Sequence, residues 1–179
     1  MSEDKQLYGL LVEFEDVNDL RAAAETVRDA GYTKWDCHTP FPVHGMDGAM
    51  GIKPTVIPWL VLGAGITGAS VGLFMQWWMN AVDYKIIISG KPFFSLPANI
   101  PIIFELTILL SALTAVGSLF AFNGLPMLYH PLFSNERFAR ATNDRFFLVV
   151  EACDPKFNLD QTRQLLESMG GAAIETVED

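Results

Sequence analysis

Val56 to Met79 gives 24 residues without a single charge, and Ile100 to Phe122 gives 23 with one, Glu105. Crossing a bilayer as helix takes about 20 apolar residues, because the hydrocarbon layer is about 30 Å thick and each residue rises about 1.5 Å. Both runs are long enough, and neither shows the polar face that a helix on a soluble core would carry. The sequence therefore predicts two transmembrane helices, 56–79 and 100–122, within a hairpin spanning 56–124. Trp59 stands at one end of the first span and Trp77 and Trp78 at the other, where interfacial aromatics belong. In the second, Asn99 is expected to cap the helix, Pro101 to fall in the first turn, and Gly124 and Pro126 to stop it.

The charges lie outside this hairpin. Residues 1–55 hold five Lys/Arg and ten Asp/Glu, and residues 125–179 hold five and nine. Only Lys85, Lys91, Asp83 and Glu105 fall between them. Acidic flanks argue against nucleic acid, whose phosphates need a basic face, and against docking by charge on anionic lipid. Two spans return the chain to the side it left. Lys53, Arg137 and Arg140 near the outer ends set against Lys85 and Lys91 in the loop place both termini in the cytoplasm. The start, MSEDKQLYG, lacks the apolar core of a cleavable signal.

The flanks repeat one plan. Leu7–Phe14 reads as a strand, followed by a helix capped by Asp16 with Val17, Leu20, Ala24, Val27 and Ala30 inward, then a strand over 33–38. After the hairpin, 145–152 reads as a strand. A helix capped by Asn158, with Gln161 three positions on, follows; its inward residues are Leu159, Leu165, Leu166 and Met169, and a last strand covers 172–177. Neither half can bury a sheet alone. Joined, β-α-β plus β-α-β makes an α+β, ferredoxin-like domain, with the transmembrane hairpin inserted between its second and third strands. Residues 1–55 supply the first half and a linker, and 125–179 a linker and the second half. The linkers 39–54 and 123–135, rich in Gly and Pro, are expected at the membrane surface, against partner subunits.

Few residues offer chemistry. Glu105 is a carboxylate inside a span, which costs about 2.5–3.5 kcal/mol at a helix centre. It can relay protons, bond a partner helix, or assist the first helical turn from near the loop end. His44 and His130 sit one in each linker and, with His38, complete the histidines. Together His44 and His130 can be drawn as metal ligands, but no further ligand stands in regular spacing, so interface hydrogen bonding is the stronger reading. Asp47 and Asp144 read as linker or capping residues. Cys37 and Cys153 form neither a disulfide framework nor a zinc pattern and read as small fillers at strand ends. Gly63, Gly65 and Gly68 match G-x-G-x-x-G, yet they lie inside an apolar span without the strand a dinucleotide site needs. With Gly72 they make a small-residue face for close approach of another helix. No catalytic site emerges.

The linkers carry a resemblance. FPVHGMDGAMG (41–51), LPANIPIIFELTIL (96–109), NGLPMLYHPLF (123–133) and ATNDRFFL (141–148) resemble the D subunit of alternative complex III, a bacterial quinol-oxidising respiratory assembly. The resemblance covers nearly the whole chain. It implies an accessory subunit in the bacterial cytoplasmic membrane that binds no cofactor itself. Haem c on a multihaem cytochrome, iron–sulfur clusters on a second subunit and quinol on helical-bundle subunits are then expected on its partners. The competing reading, drawn from the residues alone, is a membrane-anchored ligand or metal sensor using His44 and His130.

Overall fold

A computed structural model describes residues 6–178. The chain divides into two compact units, 1–53 with 128–179 and 54–127.

In the first unit, strands β1 (Leu7–Phe14), β2 (Trp35–His38), β3 (Phe146–Glu151) and β4 (Ala173–Glu178) form one sheet in the order β2-β3-β1-β4, every neighbour antiparallel. The register sets Phe14 opposite Phe146, Gly9 opposite Glu151 and Trp35 opposite Val150. Alternation along each strand then gives the sheet two apolar faces. Leu10, Val12, Phe14, Phe146, Leu148 and Val150 face helices α1 (Val17–Asp29), α2 (Met46–Met50) and α5 (Leu159–Glu167). Leu11, Phe147, Val149 and Val177 point the other way, beneath two 3-10 turns, Pro131–Ser134 and Arg137–Thr142.

Local chemistry explains the boundaries. Asp16 caps α1 by accepting from the Asn18 N–H at 2.6 Å. Asn158 caps α5, accepting from Asp160 and Gln161. The reciprocal bond comes from Thr162 rather than Gln161: its hydroxyl oxygen accepts the Asn158 N–H at 3.2 Å. Thr162 is fully buried and also bonded to the Tyr32 hydroxyl, whereas Leu159, expected inward, is exposed. Asp154, buried after β3, accepts from the N–H groups of Thr33, Lys34 and Lys156 at 2.6–2.7 Å. Burial acts to raise its pKa, but these donors outweigh it and hold the carboxyl below the ordinary range.

The second unit is a pair of apolar helices. α3 (Ile57–Trp77) runs on through a π-helical stretch, Trp78–Asp83, and α4 covers Leu96–Phe122. Each apolar segment counts 27 residues, and only 17% and 6% of their most apolar windows are buried. α4 begins four residues earlier than the sequence indicated. Ser95 stands at the N-cap, Pro97 takes the first turn, and Pro101 falls inside the helix. Asn99 is not a cap; it lies buried, and its carbonyl accepts from Gln76 Nε2 at 3.1 Å.

Glycines bring the two helices together. A Cβ on Gly68 would lie 2.5 Å from the Leu106 carbonyl oxygen, and one on Gly72 would lie 3.0 Å from the Ile103 Cα. One on Gly65 would meet the Ser111 hydroxyl at 2.9 Å. In lipid, packing of this kind substitutes for the absent hydrophobic drive. Replacing Gly68 by Val is expected to force α3 and α4 apart and lower the thermal midpoint of the full chain in detergent by several degrees. Gly63→Val, where a Cβ meets nothing within 4 Å, is expected to leave it unchanged. Equal effects at both positions would refute this account of the hairpin.

Candidate functional site

Glu105 occupies the third turn of α4, nine residues beyond Leu96, about 14 Å along the axis. It stands well beyond the first turn, the region in which a helix dipole acts. Ile103 and Thr107 on either side contact α3 through Gly72 and Gly65. Glu105 is exposed on the surface of the pair, and among the described residues no group hydrogen-bonds or ion-pairs with it. Gly65, Gly68 and Gly72 are turned inward to α4, so their small-residue face serves the chain's own second helix; Gly63 stands apart from it.

The histidines do not form the pair drawn from the sequence. His44 is exposed just ahead of α2, on the α1 side of the sheet. His130 lies before the first 3-10 turn, whose Leu132 packs on the opposite face. The Leu132 N–H donates to His130 Nδ1 at 3.3 Å. That leaves Nε2 as the protonated nitrogen, 3.3 Å from the Tyr8 hydroxyl, which in turn donates to Glu151 at 3.4 Å. The histidine neighbouring His130 electrostatically is His38, set edge-on to Phe138 with ring centroids 4.9 Å apart. Its Nε2 is buried without a hydrogen-bond partner among the described residues. Burial pushes the His38 pKa below its ordinary value; Asp36 opposes this and His130 adds to it. Tyr8 is pushed up to about 12 by burial and by Glu151.

Asp47 is exposed in the first turn of α2. Asp144 belongs to a network that the sequence did not reveal. Glu13, on β1 with its side chain 5% exposed, receives Arg137 at 3.1 Å, Arg145 at 3.3 Å and Arg140 at 3.6 Å. Asp144 pairs with Arg140, Glu15 with Arg145, and Glu175 with Arg137. The hydrogen bond from Arg140 is the chief reason the Asp144 carboxyl lies below its ordinary range. The hint was present, since Glu13 breaks the apolar run of the first strand. In the sequence Arg137 and Arg140 carry only a topology signal. Cys37 is half-buried against the core, its thiol raised to about 12 by burial. Cys153 is exposed rather than a filler, and its thiol donates to Glu151 at 3.0 Å.

Among the described residues, no group of three or more His, Cys, Asp or Glu side chains is arranged to hold a metal ion. A family model described as "Alternative complex III, ActD subunit" matches residues 8–176. The chain belongs to that family. It is thus a subunit of alternative complex III, with the other subunits of that complex as partners, and its two apolar helices mark it as a membrane protein. No curated protein matches the sequence.

Two measurements test the local chemistry. His38 favours its neutral form when folded, so the unfolded chain binds more protons as pH falls through the ordinary imidazole range, and stability falls with it. The wild-type chain is therefore expected to lose stability between about pH 7 and pH 5. His38→Phe should flatten that slope in detergent melts; an unchanged slope would assign it elsewhere. Glu13→Ala leaves three arginines without their shared carboxylate and is expected to cost about 2 kcal/mol by chemical denaturation, since their exposure to water limits the loss.

Proposed function

We propose that this subunit acts as a structural and assembly element of alternative complex III, holding the quinol-binding membrane subunits in place while itself carrying no reactive centre. The observation that carries the reading is the hairpin. Two helices of 27 residues pack on each other through one face and leave most of their apolar surface uncovered. Such a surface must be taken up by lipid or by neighbouring helices. A helix of that length measures about 40 Å, enough to cross a hydrocarbon layer of about 30 Å with a turn to spare at each end.

Haem c, iron–sulfur clusters and quinol belong, in this reading, to the partners: a multihaem cytochrome, an iron–sulfur subunit and the helical bundles. The setting is the cytoplasmic membrane of a bacterium, with both termini in the cytoplasm. Two crossings and the excess of Lys and Arg outside the loop support that orientation. The order β2-β3-β1-β4, with a helix between each pair of sequential strands in both halves, supports a ferredoxin-like domain into which the hairpin is inserted. His44, Asp47, His130 and Asp144 are offered as linker residues that settle the domain against its neighbours. Glu105 contributes either an inter-subunit bond or a step in proton movement, and its position beyond the first turn supports both.

A tagged chain at native expression, drawn from membranes in mild detergent, is expected to bring with it a multihaem cytochrome spectrum, an iron–sulfur subunit and large membrane proteins in fixed ratio. A colourless, solitary chain would overturn the proposal.

A further inference from the structure

The outer side of α4 carries an ordered pattern. α3 takes up Ile103, Leu106, Thr107 and Ser111. At about 100° per residue, Glu105 stands about 160° round the helix from both Ile103 and Thr107, so it points directly away from α3. Along that outward line run Ile102, Glu105, Leu109, Ala112, Val116 and Leu119, all exposed and spaced alternately three and four residues apart. This is the spacing by which one helix packs against another in a left-handed pair crossing at about 20°, common among membrane bundles. The one polar residue on the seam is a carboxylate without a partner among the described residues.

A polar residue at one position of such a seam fixes register, because only one alignment satisfies it. Lipid cannot satisfy it. Centred on a hydrocarbon layer of about 30 Å, the helix places Glu105 about 8 Å beneath the edge, in its third turn. Ionisable residues within spans almost always face a bundle interior or a water-filled cavity, and pair with one another or with backbone carbonyls. We infer that the Ile102–Leu119 seam of α4 is the docking face for a transmembrane helix of another subunit, which presents a Lys or Arg side chain to the Glu105 carboxylate. The assignment rests on the reading of the chain as an assembly subunit and adds the face, the register and the chemistry of the partner. It also separates the hairpin's two jobs. The glycines of α3 close the chain on itself, and the back of α4 joins it to its neighbour.

The test uses the whole complex in native membranes. A photoactivatable phenylalanine analogue is placed in turn at Leu109, Ala112 and Val116. All three are expected to join one and the same polypeptide, at an apolar segment containing Lys or Arg. Glu105→Gln should lower the adduct yield, normalised to the amount of membrane-retained chain, by about tenfold, and Glu105→Asp should keep most of it. Adducts with lipid alone, a joined segment lacking Lys and Arg, or yields indifferent to Glu105→Gln would each overturn the inference. Co-purification of the unaltered chain distinguishes the two levels. If partners follow it while the seam meets only lipid, the docking face is wrong and the assembly reading survives. If no partner follows it, both fall.

Discussion

The pairing of β1 with β3 is the interaction on which everything else depends. Six residues of each strand lie in register from Gly9 opposite Glu151 to Phe14 opposite Phe146, although the whole hairpin separates them in sequence. β1 sits between β3 and β4 and never touches β2, so the first β-α-β stretch is no sheet by itself. Any insertion between β2 and β3 must therefore hand the chain back where it received it. An even number of membrane crossings would do so and an odd number would not, so a helical hairpin is a form that such an insertion can take.

Period and capping chemistry made most of the sheet-bearing unit legible. β1 carries the expected bounds, and Asp16 and Asn158 cap the helices they were assigned to. What escaped was of another kind. The segment 131–142 has no period of its own, since 3-10 turns are short and eclipse their side chains. Nothing local announces that Leu132, Phe138 and Ala141 seal the far face of the sheet. The same holds for α2, a five-residue helix hidden in a run of Gly and Pro between glycine caps of positive φ.

The candidate site divides along similar lines. Glu105 stood out because a charge in an apolar run is conspicuous whatever the fold. The Glu13 cluster did not, because its three arginines lie 124 to 132 positions beyond Glu13 and meet it only once β1 and β3 are paired and the neighbouring turns have folded back. The difference in the helix start has a physical reason. The sequence pattern suits Pro101 to a first turn, but Pro97 already fills that role, and a proline five residues into a helix is tolerated where surrounding groups take up the freed backbone. That single turn changes the environment of Glu105 from a helix end to a helix interior.

The strand order also governs how the protein is made. β2 ends at His38 and its only neighbour, β3, begins at Phe146. At about 5–20 residues per second, a ribosome needs on the order of 5–20 s to synthesise what lies between. Throughout that interval β1 and β2 lack the strand that joins them, since β3 lies between them in the sheet. The order of translation therefore keeps the sheet from closing until the whole apolar hairpin and the strand beyond it have been made.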